Sequence, residues 1–172
     1  MITRLLGAMD ARAYQNLRLL ALGENPCAFS ASLEEETGRS LDEVAARLRP
    51  ALDGSVCTLG IHEGNELSGF LAIIHPQRAK LRHCVEFAGM VVARSSRRRG
   101  VGRRLLEAAI EHVRAIDGVR QIKLSANDAN TAAKALYRSV GFTSWGTEPD
   151  ALNIEGTFCD ETHYVLWLSS ND

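Results

Sequence analysis

The 172-residue chain lacks several features that would place it in a specialised class. No apolar run approaches the length of a membrane span, and the first residues contain no signal-peptide core, so we expect a cytoplasmic protein with no membrane partner. The formal net charge is only −1, which argues against a nucleic-acid partner, because such a domain would be expected to be basic. The composition is ordinary for one globular domain spanning 1–172.

The four cysteines form no recognisable metal or redox motif. Cys27, Cys57, Cys84 and Cys159 lie in different segments, and no two of them have Cys-x-x-Cys spacing. Reduced thiols in a cytoplasm are the simplest interpretation. The histidines also lack the spacing of metal ligands, so the sequence predicts no metal site.

The hydrophobic pattern predicts an α/β domain. Helices are expected to open at Asp10, Ser40, Val101 and Thr131, and residues 23–39 are expected to be a loop. The first helix should bury a face made of Tyr14, Leu17, Leu20 and Ala21. Extended patterns predict strands at 2–6, 56–62, 66–74, 84–92, 121–125, 142–147 and 156–168. The strand–helix–strand unit around 85–125 should be a parallel crossover within a mostly antiparallel sheet.

Residues 97–103 combine arginines with two glycines at the start of a predicted helix. The run is Arg97-Arg98-Arg99-Gly100-Val101-Gly102-Arg103, and it follows an apolar strand. The first backbone N–H groups of a helix have no partner within the helix and readily bind anions. Cations are mildly unfavourable at a helix N-terminus unless an anion lies among them. The pattern therefore predicts a cradle for a pyrophosphate.

Two common phosphate motifs do not fit this cradle. A Walker loop needs Lys and then Ser or Thr after its last glycine, where Arg103-Arg104 stand. A dinucleotide fingerprint needs a third glycine, where Leu105 stands, and belongs at the first strand of a doubly wound sheet. What remains, Arg97-x-x-Gly100-x-Gly102, resembles motif A of the GNAT family of N-acetyltransferases, in which the loop holds the pyrophosphate of acetyl-coenzyme A (acetyl-CoA).

A second segment carries the same resemblance. The run Asn130-Thr131-Ala132-Ala133-Lys134-Ala135-Leu136-Tyr137 and the later Gly141-Phe142 are similar to the family's Asn-x-x-Ala-x-x-Leu-Tyr and Gly-Phe. One departure is Arg94, where many members have proline. The resemblance implies the acyl-CoA N-acyltransferase fold, a mixed, mostly antiparallel sheet of about seven strands flanked by about four helices. It also implies acetyl-CoA as co-substrate and no metal.

The resemblance implies cofactor contacts outside the cradle as well. The end of the strand, Met90-Val91-Val92, would offer free backbone groups to the pantetheine beyond a β-bulge, for which Gly89 is the candidate. The alternative is that Gly89 only relieves crowding in a core strand. Asn130 and Ala133 would reach the cofactor from the short helix, although Asn130 is equally suited to cap that helix.

Two residues are candidates for the chemistry. In the family, the tyrosine at the position of Tyr137 lies near the thioester sulfur and protonates the departing thiolate; the alternative is a core tyrosine. Glu86 stands eleven residues before Arg97 in an otherwise apolar strand, the spacing seen in members with a catalytic glutamate. A partly desolvated carboxylate with a raised pKa could deprotonate the acceptor amine, directly or through water. The alternatives are ordered water as the base, or a surface glutamate paired with a cation such as Arg82.

The expected function is acetyl transfer from acetyl-CoA to a primary amine of a small molecule or a protein N-terminus. The segments expected to border the acceptor, 23–39 and 146–160, are acidic, as in Glu34-Glu35-Glu36, and would favour a cationic acceptor; ordinary solvated loops are the alternative. Pairing of the last strands of two chains would give a homodimer. The alternative functions are a non-catalytic acyl-CoA sensor and, from another class, a nucleotide- or nucleic-acid-binding module.

Overall fold

The structure is a computed structural model that describes residues 1–168. One seven-stranded sheet has the strand order β1-β2-β3-β4-β5-β7-β6. Its strands are β1 (Ile2–Leu5), β2 (Val56–Glu63), β3 (Glu66–Ile74), β4 (Cys84–Val92), β5 (Gln121–Asn127), β6 (Thr143–Ile154) and β7 (Thr157–Trp167). The helices are α1 (Ala11–Glu24), α2 (Leu33–Thr37), α3 (Leu41–Leu48), α4 (Val101–Arg114) and α5 (Thr131–Ser139).

The sheet is mixed, as the sequence predicted. Strands β4 and β5 are parallel, and the other neighbouring strands are antiparallel. The crossover from β4 to β5 runs through α4. Within the described 168 residues, no helix is both long enough and apolar enough to cross a membrane.

Helices cover both faces of the sheet. On one face, α4 and α5 bury Leu105, Ile110 and Tyr137 against strand residues such as Val85. On the other face, α1 and α3 cover a smaller cluster, in which the rings of Tyr14 and Phe70 lie 4.3 Å apart. Each amphipathic helix therefore buries its apolar stripe on the sheet, and the two clusters hold β4 between them.

The segment 23–39 differs from its prediction as a loop. It contains a 3-10 turn at Pro26–Ala28 and the short helix α2. Ser32 and Glu35 form a capping box at the start of α2, the same device that Ser40 and Glu43 form at α3. The acidic residues Glu34, Glu35 and Glu36 lie in the first turn of α2, where carboxylates are favourable. The prediction of a loop did not take this preference into account.

Two further predictions need correction. Leu20 was expected in the buried face of α1, but 66% of it is exposed, because α1 buries Arg18 and Leu22 in addition to Tyr14 and Ala21. The strand predicted at 142–147 continues to Ile154 as β6, so the expected polar connection shrinks to a tight turn at Glu155 and Gly156.

The prediction of four reduced cysteines is also wrong in part. Cys27 and Cys159 form a disulfide that joins the turn after α1 to β7, across 132 positions of sequence. Cys57 and Cys84 are free, as expected. Sequence spacing gave no sign of the pair, because only the fold brings these two segments together.

Candidate active site

Strands β4 and β5 part after the first third of β4. They pair at Cys84, Val85 and Glu86, and the register ends there. Beyond that point β5 continues to pair with β7 as far as Asn127, whereas the rest of β4 stays paired only with β3. The edge of β4 that faces β5 is therefore open from Phe87 to Val92, which leaves backbone groups free to bind an extended ligand.

A β-bulge lies at the start of this open stretch. Ala88 pairs with Ala72 and Val91 pairs with Phe70, so Gly89 and Met90 together stand opposite one residue of β3. Gly89 has φ +58°, a left-handed conformation that favours glycine. The structure thus places the bulge where the sequence suggested it.

Successive side chains of β4 point to opposite faces of the sheet. Val85 and Phe87 belong to the cluster under α4, so Glu86 between them points to the face that α1 covers. After the bulge, Val91 packs under α1, while Met90 and Val92 pack on the α4 side. Glu86 and the N-terminus of α4 therefore lie on opposite sides of the sheet.

The two glycines of the cradle serve different purposes. Gly100 caps α4 with φ +78°, and a Cβ there would meet no atom within 4 Å. Gly102 is crowded by the protein itself, because a Cβ there would lie 3.1 Å from Leu136 Cδ2 and 3.3 Å from Met90 Cε. Gly100 thus keeps the helix start open, and Gly102 allows α5 and β4 to approach α4 closely.

Three arginines of the cradle are held by glutamates. Arg97 Nη2 lies 2.6 Å from Glu24 Oε2 at the end of α1, Arg99 Nη2 lies 3.0 Å from Glu63 Oε1 at the end of β2, and Arg103 Nε lies 2.8 Å from Glu107 Oε1. The Ser96 hydroxyl donates a hydrogen bond to Glu63, and this bond holds the pKa of that carboxyl below its usual value.

The two remaining cradle positions outside the glycines are Arg98 and Val101. Arg98 has φ 62° and is exposed, and Val101 is buried at the first turn of α4. An arginine has five N–H donors, so the three paired arginines retain donors for a further anion. The structure brings the sequence-predicted cradle residues 97–103 together around the start of α4.

Helix α5 stands beside the opening. Asn130 caps it by accepting a hydrogen bond of 3.1 Å from the Ala133 backbone N–H, so the structural interpretation of this asparagine is confirmed. Ala133 and Leu136 pack against the core on the α4 side. The capped N-terminus of α5 fixes the direction of the helix and with it the position of Tyr137.

Tyr137 is nearly buried within an aromatic group. Its ring lies 5.8 Å from Tyr164, edge-on, and 6.2 Å from Phe142. Burial, together with the nearby Tyr164 and Glu161, raises the pKa of Tyr137 to about 12. The phenol therefore keeps its proton at neutral pH and can act as a donor but not as a base.

Glu86 is exposed on β4. It makes neither an ion pair nor a hydrogen bond with any other residue of 1–168, so the alternative of a glutamate paired with Arg82 is not seen in this part of the chain. The partial desolvation that the sequence interpretation assumed is not present in the unliganded chain, because the carboxylate faces solvent. A base role would need a bound acceptor to cover it.

A cluster around Arg18 and Glu36 was missed by sequence reasoning. Glu36 on α2 is 2% exposed and lies within 4 Å of guanidinium nitrogens of Arg18, Arg39 and Arg47. Burial alone would raise the pKa of Glu36, but these three charges hold it below its usual value. The available signal was an arginine within the apolar face of α1, between Tyr14 and Ala21.

A groove connects the cradle with α1 on this face. Its volume is about 500 Å³, and it is lined by the C-terminal half of α1, the end of β4 and the residues before α4, among them Leu17, Leu20, Glu24, Val91 and Arg97. The exposed apolar side chain of Leu20 lines this groove, where it could contact a bound ligand. No group of three or more His, Cys, Asp or Glu side chains in residues 1–168 could hold a metal ion.

Comparison with known proteins agrees with this geometry. The family model described as "Acetyltransferase (GNAT) family" matches residues 22–142. A mycothiol acetyltransferase of Salinispora tropica is 27% identical over 124 residues, which are 72% of this chain and 40% of that protein. The chain spans less than half the length of the curated relatives it matches.

Solved structures share the fold over nearly the whole chain. An acetyltransferase of the GNAT family from Streptococcus pneumoniae superposes with a TM-score of 0.84 and 25% identity, over 97% of this chain and 99% of the other. The yncA protein of Salmonella typhimurium, solved with its cofactor acetyl-CoA, has a TM-score of 0.79 at 21% identity, over 100% and 96% of the two chains. At 21% identity, the similarity to the yncA protein shows only that the two proteins share a fold.

Proposed function

The chain belongs to the acetyltransferase (GNAT) family, and on this basis we propose that it transfers the acetyl group of acetyl-CoA directly to a primary amine. The acceptor would be an amine of a small molecule or a protein N-terminus. The observation that carries the proposal is the parting of β4 and β5 after Glu86, which opens the edge of β4 over the stretch that leads to the cradle at residues 97–103. An open strand edge next to an anion cradle suits a ligand with an amide-bearing arm and a pyrophosphate.

The cofactor-binding residues follow from this arrangement. The open edge of β4 at Met90, Val91 and Val92 would pair with the pantetheine arm. The backbone and side chains of Arg97, Arg98, Arg99, Gly100, Val101, Gly102 and Arg103 would bind the pyrophosphate. Asn130, Ala133 and Tyr137 would border the arm from α5. Gly100 fits this assignment because a Cβ would project into open space at the helix start, where the phosphates need room.

The chemistry needs one proton to leave the amine and one to reach the sulfur. Bound acetyl-CoA supplies the thioester, whose C–S bond breaks as the C–N bond forms. Glu86, or water ordered by it, takes the proton of the incoming ammonium so that its lone pair is free. Tyr137, whose phenol is protonated at neutral pH, donates its proton to the departing thiolate. No covalent acetyl-enzyme is part of the proposal.

The experiment is a release assay for the CoA thiol with the purified chain and a broad panel of amines, alongside calorimetry with CoA. Thiol release that depends on both an amine and acetyl-CoA supports the proposal. CoA binding without turnover on any amine would favour the sensor function. Competition of ATP or DNA with CoA would favour a nucleotide- or nucleic-acid-binding module.

The charge of the acceptor, the oligomeric state and the cellular location remain predictions. The prediction of a cationic acceptor is weakened, because two of the glutamates behind it are already engaged. Glu36 is buried against arginines, and Glu35 takes part in the cap of α2. A homodimer through the last strands is consistent with the edge position of β6 and with Trp145 and Trp167, 62% and 66% exposed; light scattering would measure it. A cytoplasmic location is untested by the fold.

A further inference from the structure

The guanidinium of Arg18 lies against the bulge of β4. Its Nη1 atom is 3.4 Å from the position that a Cβ on Gly89 would occupy. Arg18 belongs to α1, on the face of the sheet to which Glu86 points. The missing side chain of Gly89 therefore makes room for a buried cation at the point where β4 separates from β5.

This cation has unused hydrogen-bonding capacity. Arg18 is 7% exposed, and no hydrogen bond joins its side chain to another residue of 1–168. Its Nε is buried without an acceptor, and Glu36 Oε2, at 3.3 Å, is an ionic neighbour that does not meet hydrogen-bond geometry. The ring of Phe29 packs 5.6 Å from the guanidinium carbon. The ion pair with Glu36 and the ring of Phe29 thus engage part of the guanidinium, and the donors of Nη1 and Nη2 remain for a ligand.

The surrounding charges leave an excess of positive charge. One carboxylate, Glu36, faces three guanidinium groups, and both of its close hydrogen bonds come from Arg47 and Arg39. Gln15 fixes α2 against α1 by donating to the backbone carbonyl of Glu36 at 2.8 Å. The hydrogen bonds from Arg39 and Arg47 both end on Glu36 Oε1, whereas Oε2 is contacted by Arg18 Nε. The terminal Nη1 and Nη2 atoms of Arg18 have no acceptor within residues 1–168 and remain available to an anion.

The cofactor phosphates are poor candidates for this anion. The ion pair of Arg97 with Glu24 marks the end of α1 that lies near the cradle. Arg18 lies six residues earlier on the same helix, roughly 9 Å away at the rise of an α-helix. The site of Arg18 is therefore beside the reacting groups rather than beside the pyrophosphate.

We propose that the acceptor is a small amino carboxylate whose carboxylate binds the guanidinium of Arg18 while its amine faces Glu86. A guanidinium binds a planar carboxylate through two parallel hydrogen bonds. The spacing from Glu86 to Gly89 is at most three residues of strand, roughly 10 Å, so both groups must belong to one compact molecule. This inference rests on the proposed acetyl transfer and specifies its substrate class as α- or β-amino acids.

The test compares matched acceptors with the full chain. Each standard L-amino acid is assayed beside its primary amide and beside the amine left by decarboxylation, with thiol release as the readout. The carboxylate should raise kcat/KM by about 10- to 100-fold for the preferred amino acid, the range expected for a charge-assisted pair. Arg18→Gln should abolish this preference, so that the ratio of kcat/KM for the amino acid to kcat/KM for its uncharged counterparts falls to about one, with Arg18→Lys between the two.

The matched control is Arg12→Gln, an exposed arginine on the same helix. It should leave the preference and the KM for acetyl-CoA unchanged. If Arg18 had only a structural role, Arg18→Gln would reduce the rates with amino acids and with uncharged amines by the same factor and leave their ratio unchanged. That result would overturn the inference, as would a wild-type preference for amines without a carboxylate.

A binding measurement separates this inference from the proposed function. The same amino acids and amides are titrated by calorimetry into the chain saturated with CoA. Amino-acid binding that Arg18→Gln removes, without turnover, would keep the carboxylate site and refute the transferase. Turnover on amines together with no binding or preference for amino acids would keep the transferase and refute the carboxylate site.

Discussion

Glu86 on β4 faces Lys123 on β5 at the last register position that joins the two strands. Beyond this pair the strands separate, and the bulge at Gly89 lies in the open stretch of β4. A carboxylate at the base of the opening has access to a ligand from the α1 face, whereas the cradle opens at the start of α4. The proposed reaction would take place between these two positions.

Removal of the Glu86 carboxylate should slow the chemical step. Glu86→Gln should lower kcat by about 10²- to 10⁴-fold if the carboxylate is the base, and it should remove the acidic limb of the pH–rate profile. Glu66→Gln, an exposed strand glutamate at the far hairpin, serves as the control. An unchanged acidic limb in Glu86→Gln would assign proton removal to water or to another group.

Removal of the Tyr137 hydroxyl should affect turnover far more than cofactor binding. Tyr137→Phe should lower kcat by about 10²-fold or more, and the Kd for CoA should stay within about twofold. Tyr164→Phe is a matched control, because its hydroxyl is buried and finds no partner within the described chain. Equal losses of kcat and CoA affinity in Tyr137→Phe would indicate a packing role instead.

The high pKa of Tyr137 also predicts a pH dependence. A tyrosine with the ordinary value of 10.0 would lose its proton as the pH rises through that value, whereas burial raises the pKa of Tyr137 to about 12. The contribution to stability is complete below pH 10, the unfolded value, and is lost progressively as the pH rises to about 12, where the folded phenol ionises. The absorbance of tyrosinate during an alkaline titration measures this. Burial also raises the pKa of Tyr14, so the step to follow is the one near pH 12, which should vanish in Tyr137→Phe and persist in Tyr14→Phe.

The disulfide between Cys27 and Cys159 should contribute to stability. Its removal in the double variant Cys27→Ser and Cys159→Ser should lower the free energy of unfolding by about 2–4 kcal/mol, because the cross-link restricts the unfolded chain. Reductant should destabilise the wild type similarly and leave the double variant unaffected. Cys57→Ser is the control for a free cysteine. Four reactive thiols in the denatured, unreduced chain would show that the disulfide does not form.

Much of the fold could be predicted because local signals agreed with the tertiary structure. The apolar stripe of α4, the capping box at Ser40 and the period-two strands gave the elements. Gly89 was a recognisable bulge residue, since its φ of +58° is one that glycine adopts easily. The cradle at residues 97–103 is contiguous in sequence, so its chemistry could be read directly from the order of its residues.

What the sequence did not predict depends on contacts between distant segments. Glu36 looked like part of a solvated acidic run, yet the fold buries it against Arg18 and Arg47. Helix α2 was missed because five residues are too short to show a helical period. The pairing of Cys27 with Cys159 and the approach of Arg18 to Gly89 have no local signal, because each joins elements far apart in the chain.

Binding of the CoA pyrophosphate by residues 97–103 is tested most directly by a pair of glycine variants. Gly100→Asp places a carboxylate at the open start of α4, and Gly118→Asp places one at φ +80° with no atom within 4 Å, so the backbone strain is matched. Calorimetric titration with acetyl-CoA should show wild-type affinity for Gly118→Asp and a loss of at least about 100-fold for Gly100→Asp. Equal affinities of the two variants would contradict the cradle.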